Sequence, residues 1–330
     1  MEQSYYIFTA GELKRKDNSL TLISENNDKK DIPIERVYDI FVFSQLTYNT
    51  KLFEFLNSNN IAVHMFNYYG YYTGSYCPRE QKVSGKLLIK QVEKFTNEQE
   101  RLKIAQEFIF SASYNIIRNL RYYNNRGKSI LDYINKIEEL REKIKTTRSV
   151  EELMGVEGNI RKIYYDSWNI IINREIDFEK RVKRPPDNMV NTLISFLNSM
   201  MYSKVLSEIY RTQLNPTISY LHVPSEKRFS LSLDVSEIFK PILVDRTIFS
   251  LLNKNIISES DFYDELGYIK MKDSAIKKIV KEFEDTMSRT IKHKTLNRDV
   301  SYKHLIRLEL YKLIKHLLDE KDYEGFKMWW

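Results

Sequence analysis

Two stretches of the sequence carry ionisable side chains where the surrounding pattern calls for apolar ones. The first, "SYLHVPSEKRFSLSLDVSEIFKP" at 219–241, is rich in Leu, Val, Ile and Phe yet contains His222, Asp234 and Glu237. The second, "SVEELMGVEGNIRKIYYDSW" at 149–168, opens with a capping box from Ser149 to Glu152 and continues with an apolar helical stripe of Leu153, Ile160 and Tyr164. Glu157 falls on that stripe. An ionised carboxylate on an apolar face must be paired with a cation such as arginine, bound to a metal, or neutralised. Gly155 and Gly158 flank it. A glycine inside a helix costs about 1 kcal/mol relative to Ala, so the pair implies that something comes close to this backbone.

In the first stretch Asp234 and Glu237 are three apart and share a face if the segment is helical. Near a helix start they also gain from its dipole. Ser230 or Ser232 could cap such a helix, and Pro241 would kink it. One arrangement accounts for every oddity: Glu157, His222, Asp234 and Glu237 converge on a divalent metal. Carboxylates with one imidazole suit Mg²⁺ or Mn²⁺. The single cysteine, Cys77, argues against a thiolate zinc or iron–sulfur site. A metal held this way can polarise a phosphoryl oxygen and activate a hydroxyl for in-line attack. Cations for phosphate stand nearby in sequence. Arg181, Lys183 and Arg184 precede a helix start in "EKRVKRPP", and Lys227, Arg228, Lys240 and Arg246 flank the acidic positions. Each of these taken alone also reads as part of a solvated charged face.

The elements that must position these residues follow from a change of period. Residues 1–85 alternate with period 2 and carry turn signals at "AGE", "KDNS" and "NSNN", giving short strands and one small helix. Beyond that the period is 3.6. Leu102, Ala105, Ile109, Ala112, Ile116 and Leu120 form one stripe, and further helices follow at "KSILDYINKIEELREKIKTT", at 149–168, after "RPP" with Asp187 as cap, and over 236–255, 271–292 and 301–319. The fold class is therefore α+β: a β domain at 1–85, a linker at 86–97, and a larger all-α domain at 98–330 that carries the chemistry.

Composition sets the remaining bounds. The 330 residues hold 52 Lys and Arg against 45 Asp and Glu, a net charge of +7, with 13% aromatics that include 23 Tyr. That mix makes an anionic partner plausible, since Tyr stacks on bases and bonds to phosphates. The opening residues show no secretory pattern, no run is long enough for a membrane helix, and a lone thiol fits a reducing cytoplasm.

The order of the blocks resembles one family nearly end to end: the CRISPR-associated adaptation endonucleases, the Cas one family, and most nearly their type I-B branch. "YIFTAGELKRKDNSL" looks like its opening hairpin and "MFNYYGYYTGSYCPRE" like the end of its sheet. "GVEGNIRKIYY", "VKRPPDNMVNTLISF", and "LH" followed by "SLSLDVSEIFKPILVDR" are similar to its three catalytic-domain blocks. The resemblance implies metal-dependent cutting and joining of DNA, in which a 3′-hydroxyl of a captured duplex attacks a phosphodiester at a CRISPR repeat end. It implies a homodimer through the β domains and a small partner, Cas two. Matched position by position, it implies Glu157, His222 and Glu237 as ligands of Mg²⁺ or Mn²⁺, Asp234 as an assistant or second-metal ligand, and Tyr164 or Tyr165 with Arg184 as substrate contacts. Lys240 departs from the Arg often found there and can neutralise phosphate without a bidentate grip. Val235 and Ser236 replace larger apolar residues, a matter of packing. Two competing readings of the same residues are a non-catalytic DNA-binding scaffold and a stand-alone metal-dependent nuclease.

Overall fold

The computed structural model describes residues 2–79, 82–176, 178–183, 185–224, 229–265 and 268–329. The chain separates into two compact units, one ending at Lys82 and the other beginning at Val83.

The first unit is built from β1 (Gln3–Ile7), β2 (Gly11–Lys16), β3 (Ser19–Ser24), β4 (Lys29–Pro33), β5 (Val37–Val42), β6 (Leu46–Thr47), α1 (Thr50–Ser58), β7 (Val63–Phe66) and β8 (Tyr72–Tyr76). The "KDNS" turn closes the β2–β3 hairpin, with Asp17 at φ 51°. The residues ahead of it leave the hairpin: β1 pairs in parallel with β5 in a separate sheet of order β1-β5-β7-β8. The second sheet runs β4-β3-β2-β6. Gly11 makes the corner between them at φ 151°, where a Cβ would lie 2.0 Å from the Ile23 carbonyl oxygen. Leu13, Leu20, Ile40, Val42, Leu52, Leu56 and Val63 fill the core, which joins both sheets to α1.

The second unit contains α2 (Gly85–Thr96), α3 (Glu98–Asn124), α4 (Leu131–Ile144), α5 (Val150–Asp166), α6 (Trp168–Ile171), α7 (Met189–Tyr210), α8 (Ser230–Phe239), α9 (Arg246–Asn253), β9 (Phe262–Glu265), β10 (Tyr268–Met271), α10 (Asp273–Ser288), β11 (Thr290–Lys292), β12 (Asp299–Ser301) and α11 (Tyr302–Leu317). Two corrections to the sequence reading follow. The segment at 86–97 is a capped helix, not a linker: Ser84 Oγ accepts from Leu87 N, Leu87 is buried, and the Gln91 amide bonds the backbone of Asn215 at 2.8 and 3.2 Å. The unit is also not purely helical, because β9–β10 and β11–β12 form two small hairpins. Each hairpin is too short to give a stripe of period 2 that the flanking helices do not mask.

α3 is the spine. Ala105, Ile109, Ala112, Ile116 and Leu120 are buried as the spacing predicts, while Ile104 and Phe108 replace the half-buried Leu102 in the packed stripe. α7 is apolar all round and buried along most of its length, the pattern of a central helix. Its cap is Asn188, whose side chain accepts from Asn191 N, and not Asp187, which bonds the Asn191 amide instead at 2.7 Å.

Candidate active site

α5, α8 and the turn before α8 carry the four sequence-picked residues and join them in two pairs, Glu157 with Glu237 through Arg161, and His222 with Asp234. α5 begins at Ser149, whose hydroxyl accepts from Glu152 N at 3.1 Å, while Glu152 reaches back to Arg148 N at 2.7 Å. Leu153, Ile160 and Tyr164 anchor its inner face. Glu157 stands on the same side at the rim of that face. Gly155 and Gly158 have nothing within 4 Å of where a Cβ would sit, so among the described residues none approaches them and the helix surface stays open.

α8 is buried along its length except at the half-buried Leu233. Neither serine caps it as expected: Ser230 Oγ donates to the Thr217 carbonyl at 2.9 Å and Ser232 Oγ to that of Phe229 at 2.7 Å. At Pro241, where a kink was expected, the helix is distorted but does not end. The backbone widens into a π-helical stretch over Lys240–Asp245 and runs on into α9. Such widening lets a helix pass a proline that cannot donate. The Asn119 amide of α3 donates to the Pro241 carbonyl at 2.6 Å and holds the stretch in place.

Asp234 takes a role the sequence did not separate from its neighbours. It is fully buried, and its Oδ2 accepts from the Tyr220 and Leu221 amides at 2.6 and 2.9 Å. Its Oδ1 accepts from His222 N at 3.0 Å and meets His222 Nδ1 at 2.8 Å. These bonds engage both oxygens, so Asp234 shapes the turn and leaves His222 Nε2 as the free ring nitrogen. Burial opposes a charged His222, but the hydrogen bond and charge of Asp234 outweigh it and raise its pKa.

Glu237, 6% exposed, is held by two cations. Arg161 donates to Oε2 at 2.6 Å and Lys240 to Oε1 at 2.5 Å. Burial works against its charge, yet Lys240, Arg161 and His222 together depress its pKa to about 2. Arg161 also donates to Glu157 at 3.2 Å and lies 3.8 Å from Asp245. Asp245 is buried, and that burial pushes its carboxyl up to about 7 against the pull of Arg161. The cluster is thus a nearly charge-balanced knot of Glu157, Glu237 and Asp245 with Arg161 and Lys240. Arg161 and Asp245 were not singled out from the sequence. The four-residue step from Glu157 to Arg161 on one helix face was the available signal, and the arginine-paired option for Glu157 is the arrangement found.

The expected phosphate contacts scatter. Lys183 is exposed at the surface, within electrostatic reach of Glu157 and Glu237, and partial desolvation with the charges of Arg181 and Lys240 lowers its pKa. Tyr165 is half-buried beside Arg161, and burial raises its hydroxyl to about 12. Tyr164 is fully buried against Asn119 and Trp168 and cannot meet a substrate. The Arg181 guanidinium is spent on α7, bonding Asn191 Oδ1 at 3.0 Å and Ser195 at 2.8 Å. Arg246 points away from the carboxylates toward Tyr122 and Met328. Arg184, Lys227 and Arg228 lie outside the described residues.

Among the described residues, no three His, Cys, Asp or Glu side chains are gathered closely enough to hold a metal ion. The donors are right in kind: two carboxylates and one imidazole nitrogen whose opposite nitrogen is fixed by a carboxylate. Their present arrangement is occupied by the chain's own cations. Among those residues, too, no helix is long and apolar enough to cross a membrane.

Comparison with known proteins bears on the chain as a whole. The profile of the family "CRISPR associated protein Cas1" matches residues 5–285. A CRISPR-associated endonuclease Cas1 from Fusobacterium nucleatum is 60% identical over 330 residues, covering 100% of this chain and 98% of that one. Another from Pyrococcus horikoshii is 39% identical and covers 98% of each. The solved Cas1 protein of Thermotoga maritima superposes with a TM-score of 0.88 at 39% identity, over 98% of this chain and 100% of that one. A casposase bound to its integration product shares the fold, with a TM-score of 0.83 at 20% identity, over 98% of this chain and 92% of that one. A β-rich unit, a helical unit, and Glu157, His222 and Glu237 on adjoining elements thus accompany a match along nearly the whole length, and this chain belongs to the Cas1 family of CRISPR-associated proteins.

Proposed function

We propose that the chain cuts DNA and joins a free 3′-hydroxyl to a phosphodiester at a CRISPR repeat end, using Mg²⁺ or Mn²⁺ held by Glu157, His222 and Glu237. The observation that carries this reading is the pairing of Arg161 with both Glu157 and Glu237, which puts two carboxylates from separate helices against one cationic group beside His222. The endonuclease names of its relatives support cutting. Joining rests on fold-level analogy with the casposase.

A bound metal would polarise the phosphoryl oxygen and favour the deprotonated nucleophile. The chain's own residues do the rest. Asp234 holds the imidazole through Nδ1 and leaves Nε2 as the nitrogen available to a metal. Lys183 and Lys240 supply positive charge for the phosphate, Lys240 as a point charge. A dication added to a balanced knot leaves excess positive charge, which phosphate cancels. Metal and DNA therefore strengthen each other's binding. Water as the attacking group gives cutting and a 3′-hydroxyl gives joining at the same site.

The reading extends to a homodimer through the β-rich unit, where the half-buried rings of Tyr6, Phe8 and Phe43 stack along one sheet face, to a Cas2 partner, and to action in the cytoplasm. A second reading has its own observation. The complete pairing of Glu237 is what a purely structural role would also produce, and then the chain is a DNA-binding scaffold.

The deciding experiment mixes the protein with Cas2, a short duplex with free 3′-hydroxyls, a supercoiled plasmid bearing the repeat, and Mg²⁺ or Mn²⁺. Joined product that disappears with chelator, with Glu237→Ala and with His222→Ala supports the proposal. Metal-independent DNA binding without product selects the scaffold, and cleavage without joining selects a stand-alone nuclease.

A further inference from the structure

A second basic cleft lies on the other side of the π-helical stretch. Lys240 at the start of that stretch contacts Glu237, whereas Ile242 and the following Arg246 line a cavity of about 490 Å³. That volume is in the range of small-ligand pockets. The end of α3 supplies Tyr122 and Arg126, the turn after it Lys128, and the end of α10 Arg289. The one carboxylate in the wall, Glu282, is already engaged by Ser250 at 2.6 Å and Lys254 at 3.5 Å. Among the described residues, Arg126, Lys128, Arg246 and Arg289 have no carboxylate within ion-pair distance. Four uncompensated cations around one concavity focus a positive potential into it.

The aromatic component gives the ligand its second half. Tyr122 is 42% exposed, and the Arg126 and Arg246 guanidinium groups lie 4.5 and 5.8 Å from its ring centre. Tyr123 meets Tyr122 edge-on at 5.1 Å and Phe249 at 5.3 Å, which fixes the ring pair. An exposed aromatic with stacked guanidinium groups offers a π surface to any base, and the same groups bind phosphate. None of these residues touches the carboxylate knot.

We propose that this cleft binds a nucleotide unit, with its phosphate on Arg126, Arg246 and Arg289 and its base against Tyr122. The unit is either a free nucleoside monophosphate or part of an unpaired DNA strand. Only the second source rests on the DNA reading above.

The test is calorimetric titration of the full chain with deoxyadenosine monophosphate and, separately, with a twelve-residue oligothymidylate. A blunt duplex serves as control, and the Arg126→Ala/Arg289→Ala and Tyr122→Ala variants run beside the parent. All three substituted side chains are exposed, and thermal melts confirm folding. Binding of the mononucleotide identifies a free nucleotide as the source, and binding of the oligomer alone identifies a strand. Either is expected to weaken about ten-fold in each variant, and for the strand the double variant lowers the slope of log K against log salt by about 1.4, roughly 0.7 per lost contact. Duplex binding stays unchanged in both variants. Equal affinity of parent and variants for both ligands, or no binding of either ligand to the parent at millimolar concentration, overturns the proposal. Duplex binding in the control then shows whether the DNA reading survives.

Discussion

Replacing Arg161 by Met removes the guanidinium that joins Glu157 to Glu237. Breaking a buried ion pair from one side costs about 3–5 kcal/mol. Here the lower end applies, for three reasons. Glu157 has a side chain 28% exposed and is taken over by water. Glu237 keeps Lys240. Asp245, already near a pKa of about 7, accepts a proton instead of remaining a lone buried charge. The expected loss is about 3 kcal/mol. In a unit of this size each kcal/mol moves the midpoint by about 2–4 °C, so the variant melts roughly 6–12 °C lower. Tryptophan fluorescence reads this directly, because Trp168 and Trp329 belong to the helical unit and no tryptophan precedes residue 168 in the sequence. Mn²⁺ then tests what the arginine stands against. With Arg161 gone, a hundred-fold excess of Mn²⁺ over its dissociation constant restores about 2.7 kcal/mol. The same concentration does less for the parent, where the metal must displace the guanidinium. A variant that melts within about 2 °C of the parent would show that the bridge carries no stability. Equal Mn²⁺ shifts in both would place the metal elsewhere.

The buried acid and the histidine titrate with the same sign. Asp245 and His222 both have folded pKa values above the unfolded ones, so each contributes stability that is complete below its unfolded value and is lost as pH rises through the folded one. Urea titrations of Asp245→Asn against the parent are expected to diverge between about pH 4 and 7, and those of His222→Gln from about pH 6.5 upward, at no more than about 1.4 kcal/mol per pH unit for each group. A difference curve of opposite slope contradicts the assignment. Gly155→Ala with Gly158→Ala meets no steric obstacle and should stabilise α5 by about 0.5–1 kcal/mol per site. Filter binding is expected to show weaker DNA affinity if substrate backbone runs along this open face, and unchanged affinity removes DNA from it.

Much of this architecture was legible because it depends on local spacing. The switch from period 2 to period 3.6, the α3 stripe, and the conflict of Glu157 with the stripe of α5 are all local patterns, and they located the two units and the cluster. What stayed illegible depends on distant partners. Nothing near Asp234 in sequence indicates that its oxygens are taken by amides at 220–222. Nothing near Tyr164 says that Asn119 covers its hydroxyl. The helix at 85–96 was hidden because its outward face is apolar too, with exposed Leu88, Ile89 and Val92 blurring the stripe. Pro241 signalled a kink, but not its form: the distortion is a π-helical stretch held by a side chain from α3, which sequence spacing alone does not show.

The Asn115 side chain has a consequence for how the site comes into being. Its amide donates to the carbonyl of Ile238, in the last turn of α8, and to that of Phe326, while its oxygen accepts from Met328 N. α8 and the 326–328 segment are thus clasped by one amide, and Met328 lies 213 positions beyond Asn115. A growing chain threads off the ribosome in order, at about 5–20 residues per second. For the whole interval between synthesis of α8 and of Met328, the helix lacks this clasp and the cover of Phe326, whose ring stacks on Phe239 at 5.6 Å. The nascent polypeptide therefore carries its carboxylates on an unfinished support, and the cluster of Glu157, Glu237 and Arg161 matures only after nearly all of these residues have been made.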